Sequence, residues 1–482
     1  MSITGAIVNA NSGLAAAQRR ADVVSNNIAN ALTPGYARRD LSVSEHGAGG
    51  VKVDGVVRTT DPVLTRERRV ADGLAARDQA VASAYASLNA SLGEPDDPFS
   101  LVGQYSNLEA ALRALGESPE SMPQQAQTLD AARAVATTLN RLSDETQQTR
   151  ENADASIAKA VERVNAALKQ IERLNGDIAK AAAGGRDIAA LEDQRKQLID
   201  EVAEIIPVRE IQRERSAVDL ITEEGVFLIA GSAREIEFTP SSIITPDLSY
   251  NGGLGALSGL TVDGINITPG GGSQSIRNGS MAGLFATRDD IAPKFQAQLD
   301  GLARDLIERF SGIDATLAPG EPGLFTDAGG AFDPLTEQGL ASRLAVNTAV
   351  DPDAGGALWR LRDGLGAVTQ GPAGADGFIR TMLDSFTEKL AAPAGVALAG
   401  VHSATEAAAG VNSSIGSARV AAEARLAGSN ARAVAVAEAE LAVTGVDTDA
   451  EMQKLLLVEQ AFAANARVIQ AAKDMIERLM EL

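Results

Sequence analysis

Residues 3–31, ITGAIVNANSGLAAAQRRADVVSNNIANA, decide the fold. Their apolar positions Ile3, Ile7, Ala10, Leu14, Ala17, Ala21, Val24, Ile28 and Ala31 alternate steps of four and three, the a/d seam of a heptad helix. Residues 455–479, LLLVEQAFAANARVIQAAKDMIERL, do the same at the other end of the chain. There Leu455, Val458, Phe462, Asn465, Ile469, Ala472, Ile476 and Leu479 step by three and four. Asn465 is the polar break in that seam, a residue type that often sets register. Either stripe alone reads equally well as an ordinary amphipathic helix. Two of them at the extreme termini are less ordinary, because termini usually fray. The spacing predicts that the two ends lie against each other, or against the same ends of neighbouring subunits.

The chain has 482 residues, room for about three domains. Its net charge of −21 argues against nucleic acid and anionic membrane surfaces as partners. Aromatic residues are only 3%, so Ala, Leu and Val helix packing must carry most of the burial. The absence of Cys excludes disulfides, thiolate metal sites and Cys nucleophiles, and fits a protein that works outside the cell without oxidative folding. No run of 18 apolar residues exists, so no membrane insertion is expected. A basic segment followed by an apolar one is missing at the N-terminus, so no cleaved secretion signal is expected either. Composition then points to the cytoplasm, unless export proceeds without a cleaved signal.

Thr33-Pro34-Gly35-Tyr36 ends the first helix in a turn. Residues 38–57 alternate around Gly47, Gly49 and Gly50 as a hairpin or extended arm. Helical patterns follow over 61–92, 101–115 and 122–142. A further helix is predicted to begin near Ser156, with Ile157, Val161, Val164, Leu168, Ile171 and Ile178 on one face and a break at Gly184-Gly185. A second arm carries Leu191, Leu198, Val202 and Ile205 and stops before Pro207. Residues 208–272 turn rich in Val, Ile, Thr and Gly, with short strands at 218–222, 225–229 and 236–238 and a hairpin around Asp263-Gly264. A helix resumes over 280–312, 320–372 is irregular, and helices at 381–390 and 405–441 lead to the terminal one. Asp447, Thr448 or Asp449 is positioned to cap it.

The expected fold is therefore mainly α with an inserted small β domain, in an elongated, nested, multidomain chain. Paired terminal heptad helices form an inner-tube domain from 1–60 and 445–482. An inner helical domain takes 61–206 and 279–444, and the β domain takes 207–278.

Ser12-Gly13-Leu14, Ser25-Asn26-Asn27-Ile28-Ala29-Asn30 and Thr33-Pro34-Gly35-Tyr36 resemble the N-terminal signature of the bacterial flagellar axial proteins (rod, hook and hook-associated proteins). The run from Glu459 to Ile469, with Asn465 and Arg467, resembles their C-terminal signature. Interior motifs are similar to the hook-associated members found at the first hook–filament junction: Gly103 to Asn107, Leu191-Glu192-Asp193-Gln194-Arg195, Leu198-Ile199-Asp200, Asn278-Gly279-Ser280, Arg288-Asp289-Asp290 and Gly323-Leu324-Phe325. The modest length suggests a small or missing outer domain.

The resemblance implies structural work. Such a protein leaves the cell through the flagellar type III export apparatus, without a cleaved signal. A cytoplasmic export chaperone is expected to hold its C-terminal helix until then. Outside, it assembles with copies of itself into a ring between the hook protein and the second hook–filament junction protein, in the extracellular flagellum. Its terminal helices are disordered until assembly, as a narrow stripe without a partner should be. The assembly interface is then expected at Ile3, Ile7, Leu14, Val24 and Ile28 with Leu455, Val458, Phe462, Asn465, Ile469, Ile476 and Leu479.

Catalytic chemistry is not indicated. His46 and His402 are far apart and form no H-E-x-x-H pair, and neither a P-loop nor a G-x-S-x-G elbow occurs. Gly252-Gly253-Leu254-Gly255 lacks dinucleotide-binding spacing and reads as loop. Asp96-Asp97 and Asp289-Asp290 are the carboxylate pairs an exported wall hydrolase would use, but among 64 acidic residues such pairs arise by chance. The expectation is no enzyme, with no cofactor and no metal. Another axial subunit, of the hook or distal rod, is the nearer alternative. A free coiled-coil binding module is a third, and it requires terminal helices already folded in the monomer.

Overall fold

The computed structural model describes every residue except Met1, Ala48, Gly253, Leu254, Pro393, Ala394, Ala397, Glu481 and Leu482. Part of the Gly252 to Gly255 loop therefore lies outside the described residues. The first helix, α1 (Ile3–Ala29), starts at Ser2, whose Oγ accepts from the Gly5 amide at 3.1 Å. An antiparallel hairpin follows, β1 (Arg39–Glu45) with β2 (Val51–Arg58), bulged between Ser42 and Val43. Asp61 caps α2 (Pro62–Leu92) through the Val63 and Leu64 amides. Then come α3 (Leu101–Glu117), α4 (Met122–Ala183) and α5 (Ala189–Ile205).

Helix α4 corrects the sequence reading, which starts a separate helix near Ser156. It is unbroken over 62 residues, about 93 Å at 1.5 Å per residue. The apolar stripe lapses at Thr146, Arg150 and Asp154, yet all three are buried and hydrogen-bonded. Thr146 bonds the Leu142 carbonyl of its own helix, while Arg150 and Asp154 are satisfied across the fold, where periodicity alone shows a gap. The expected break does occur after Ala183, where Gly185 takes φ +66°.

Strands β3 (Val208–Gln212), β4 (Val218–Thr222), β5 (Phe227–Ala230) and β6 (Ser232–Ala233) form one antiparallel sheet in that order. A second holds β7 (Ile236–Glu237), β8 (Thr261–Val262) and β9 (Ile265–Asn266). Its turn at Asp263 and Gly264, both at positive φ, is the one the sequence predicts. Strand β3 is an addition to that prediction. Helix α6 (Ser280–Ala286) passes through a π-helical turn, Thr287–Ile291, into α7 (Ala292–Phe310).

The irregular region holds a small pair of strands, β10 (Phe325–Asp327) and β11 (Leu344–Val346), and two short helices, α8 (Leu340–Arg343) and α9 (Arg360–Asp363). Helix α10 (Gly377–Thr387) and the pair β12 (Leu390–Ala391) and β13 (Val401–His402) lead to α11 (Ala404–Thr444). Ser403 and Glu406 form a capping box there. Asp447 caps α12 (Thr448–Met480), its Oδ1 accepting from the Asp449 and Ala450 amides.

Two apolar cores are strung on α4. Leu129 to Leu142 join α3, α7, α10 and the start of α11 around Leu112, Phe295, Phe310 and Phe386. Ile157 to Ile171 join α5, α6 and the two sheets around Leu220, Ile229, Val262 and Phe285. The strand-rich segment thus shares its core with the helices beside it. Helix α2 packs along α11, and α1 packs along α12.

Candidate assembly interface

Helices α1 and α12 run antiparallel. Asn27 near the end of α1 bonds Glu451 near the start of α12, and two heptads back along α1 Gly13 meets Asn465 two heptads along α12. A Cβ on Gly13 would lie 2.9 Å from Asn465 Oδ1, so glycine is what lets the amide sit there. Asn465 donates to its own helix, to the Ala461 carbonyl at 3.0 Å. On α1, Ala10, Ala17 and Val24 are buried, and Ile3, Ile7, Leu14, Ala21 and Ile28 are half-buried. On α12, Val458 and Ala472 are buried, and Leu455, Asn465 and Ile469 half-buried. Phe462 (43%), Ile476 (37%) and Leu479 (61%) remain exposed.

A second stripe on α12 is missing from the sequence reading. Leu457, Ala461, Ala464, Val468, Ala471 and Met475 step by four and three and are all exposed. The heptad rule that found the first seam fits this one too; the eye stops at the better match.

The signature residues at the end of α1 form a pin. Asn27 is fully buried and all four of its bonding positions are used. Its Nδ2 donates to the Arg39 carbonyl (2.8 Å) and to Glu451 Oε2 (2.9 Å). Its Oδ1 accepts from the Tyr36 hydroxyl (2.8 Å) and the Arg39 amide (3.0 Å). One amide thus ties both chain ends, the turn and the hairpin together. Burial pushes the Tyr36 hydroxyl up, with the Arg39 guanidinium over its ring opposing. Lys454 closes the cluster on Glu451 (2.7 Å) and Asp40 (3.3 Å). Asn30 donates to the Asn26 carbonyl and accepts from Thr33, shaping the turn. Ser12 Oγ accepts from the Val51 amide at 3.1 Å and so docks the hairpin on α1. Ser25 and Arg467 are exposed.

Helix α5 receives this unit. The Gln197 amide donates to the Pro34 carbonyl at 2.7 Å, beside Gly35 at φ +79°. Asp193 takes two guanidiniums, Arg39 and Arg58, each at 2.8 Å. A belt lies just beyond. Arg68 binds Asp72, Asp200 and Glu440, and Arg69 binds Asp200 and Glu210. Lys196 joins Asp200 and Glu440, and Thr65 donates to Glu440. Burial opposes charge on Asp200, but Arg69, Lys196 and Arg68 outweigh it and hold the carboxyl below its ordinary value. Glu440 is likewise held down by Thr65, Lys196 and Arg68 against burial. Sequence reasoning missed Arg39, Arg58, Arg68, Glu440 and Glu451, because nothing in their spacing says that distant carboxylates meet them.

The interior motifs are joints as well. Gly279 takes φ +87°, and a Cβ there would lie 2.2 Å from the Ile205 carbonyl oxygen. Arg288 is fully buried, bonding Asp154 (2.6 Å), Asp289 and the Ser258 carbonyl. Asp300 accepts from the Gly339 and Ala341 amides, each at 2.8 Å.

The carboxylate pairs do not face each other across a site. Asp289 is held by Arg288, Asp290 pairs with Lys294 at 2.7 Å, and Asp97 accepts the Phe99 amide in a turn. Among the described residues, no group of three or more His, Asp or Glu is placed to hold a metal, and no helix is long and apolar enough to cross a membrane.

Residues 85–319 match the flagellar hook-associated protein FlgK helical domain. Residues 440–482 match the flagellar basal body rod FlgEFG protein C-terminal family, and residues 7–36 the flagella basal body rod protein family. Flagellar hook-associated protein 1 of Escherichia coli is 26% identical over 570 aligned positions, covering 99% of both chains. The Bacillus subtilis protein of that name is 24% identical over 70% of this chain and 72% of its own. The Salmonella typhimurium one is 30% identical over 49% of this chain and 44% of its own. With both ends and the helical body matched, and a relative aligned from end to end, the chain belongs to the flagellar hook-associated protein 1 family of rod and hook axial proteins, a structural protein and not an enzyme.

Proposed function

We propose that this protein is a junction adaptor of the bacterial flagellum, assembling with copies of itself between the hook and the filament side. The observation that carries this reading is the bare outer face of α12: Leu457, Val468 and Met475 stand in solvent on a helix already paired with α1. Contiguous exposed apolar surface on a soluble chain marks an interaction site. Neighbouring copies supply the missing cover. The match of the body to a hook-associated helical domain favours the junction over a hook or rod subunit.

The partners proposed are the hook protein, the second junction protein, a cytoplasmic chaperone on α12 and the flagellar type III export apparatus. The place of action is the extracellular flagellum. The division into a terminal unit of 1–60 and 445–482, a helical body of 61–206 and 279–444, and a β insertion of 207–278 is kept as part of this proposal.

The test is complementation. A strain lacking the protein receives Phe462→Asp or Ile469→Asp. Both are expected to be exported but not incorporated, leaving cells non-motile, because a charge buried without a partner costs several kcal/mol. Normal incorporation of either variant would refute the assignment of the α12 seam.

A further inference from the structure

The motif from Gly103 to Asn107, at the start of α3, holds the loop of residues 93–100 in place. Gln104 Nε2 and Asn107 Nδ2 both donate to the Pro98 carbonyl, at 2.9 and 3.1 Å. The Gly103 amide donates to Ser100 Oγ (3.0 Å), which donates to the Asp97 carbonyl (2.7 Å). Asp97 Oδ1 accepts from the Phe99 amide at 2.9 Å. A Cβ on Gly103 would lie 2.2 Å from the Asp97 carbonyl oxygen, so only glycine lets the loop sit this close. The result is a fixed loop with its aromatic ring outward. Phe99 is 80% exposed, whereas Leu101, Tyr105 and Leu108 just after it are fully buried. Of the eleven Phe in the chain, only Phe99 and Phe462 of α12 are exposed. Glu94 and Asp96 stand exposed in the same loop and make no ion pair among the described residues.

The opposite charge and a matching apolar lining lie at the other end of α2. A cleft of about 1240 Å3 opens there, and seven basic residues line it against three acidic ones. Val63 of α2 and Ile211 of β3, both exposed, are among its apolar walls. Arg66 and Arg209 share the single carboxylate of Glu223, at 3.1 and 3.7 Å. Arg432 of α11 is exposed and makes no ion pair among the described residues. Helix α2 has 31 residues, so the loop and the cleft are about 45 Å apart and cannot meet within one chain. We propose that Phe99 and the acidic loop around it dock into this cleft on a second copy of the chain. An aromatic ring held ready on a fixed loop loses little freedom on binding, which is what makes an anchor. The charges select the partner: Glu94 and Asp96 meet Arg66 and Arg432. Because loop and cleft are different surfaces, the contact is head-to-tail, and repeating it around an axis closes a ring. The proposal rests on self-assembly at the junction, and the contact works beside the α12 seam, setting how neighbouring bodies lie. All its named residues belong to the body, so it needs no order in the chain ends before assembly.

The absence of cysteine makes the test direct. Asp96→Cys and Arg432→Cys, each in its own full-length chain, are co-expressed in a strain lacking the protein. Hooks carrying the junction are isolated, treated with a short thiol-to-thiol linker and run on a denaturing gel. Mixed hooks are expected to give a cross-linked dimer, and hooks made with either variant alone are expected to give none. Incorporated protein that stays monomeric in mixed hooks would overturn the contact while leaving the junction reading intact, since incorporation reports that reading separately. A dimer from one variant alone would mean a two-fold contact and would overturn it too. The second arm uses no cysteine. Phe99→Ala should fold as the parent does, by circular dichroism, because the ring is in solvent. It should be lost from isolated hooks about tenfold faster, since interface changes act mainly on dissociation. Asp96→Arg should also be lost faster, and Arg432→Asp in the same chain should slow the loss again. Unchanged loss of Phe99→Ala, or no rescue of Asp96→Arg by Arg432→Asp, would overturn the proposal.

Discussion

In the body, α4 threads Leu112, Phe295, Phe310 and Phe386 into one core and Ile157, Leu168 and Ile171 into another, all with 0 to 1% exposure. Along α1 and α12 the pattern is reversed. The buried residues are mostly small or polar (Ala10, Ala17, Ala472, Asn27 and Glu451), while Leu457, Phe462, Val468 and Leu479 are in solvent. Large side chains contribute about 1.5–3 kcal/mol each when fully buried. The body therefore has its stabilisation within one chain, and the terminal pair leaves much of its own unrealised until something covers α12. What the pair has instead is address: the Asn27 pin and the Gly13–Asn465 fit fix which residue of α12 meets which residue of α1.

This contrast can be broken from either side. The largest effect belongs to the body. Phe310→Ala, between Phe325 and Phe386, should cost about 3–5 kcal/mol and lower the thermal unfolding midpoint by several degrees, measured by circular dichroism. Asn27→Ala comes next, at about 2 kcal/mol, because Tyr36 and Glu451 lose a buried partner. Its signature is regional: amide exchange should quicken in α1 and α12 and stay unchanged in α4. Equal acceleration in α4 would mean that the two parts are not separable.

Acid sharpens the comparison at the belt. Asp200 and Glu440 sit below their ordinary values of 3.8 and 4.5, held there by Arg69, Lys196 and Arg68 against burial. A carboxylate lowered in the folded state contributes stability that is present above the ordinary value and lost as pH falls through the depressed one. Glu440→Gln should therefore weaken the α11 end of the belt at neutral pH, and its difference from the parent should shrink as pH falls below the ordinary Glu value of 4.5. Asp289, Asp300 and Asp305 are raised by burial and tilt the body the opposite way. A variant difference that grows on acidification would contradict the belt's sign. The smallest effect on stability is expected from Phe462→Asp, within about 0.5 kcal/mol, since that ring is exposed in the single chain. Its cost appears only on assembly.

Much of this was legible in the sequence, for reasons that differ by region. The heptad seams of α1 and α12, the turn at Asp263-Gly264 and the break at Gly184-Gly185 are local patterns, and local patterns are readable. The continuity of α4 was not, because Arg150 and Asp154 interrupt the apolar stripe and their partners, Arg288 and loop carbonyls, lie far along the chain. The pin was half legible: Asn27 and Tyr36 stood out in a recognisable motif, whereas Glu451 and Arg39 have no periodic signature. The Asp193 contacts with Arg39 and Arg58 join residues more than a hundred positions apart, and only folding brings them together.

The central claim is that the terminal pair, not the body, is what docks. It is tested most directly by co-sedimentation with polymerised hooks from the same bacterium, comparing the full-length protein with a version ending at Thr444. The account predicts that only the full-length protein pellets with hooks. Equal pelleting of both would contradict it and move the docking surface to the helical body.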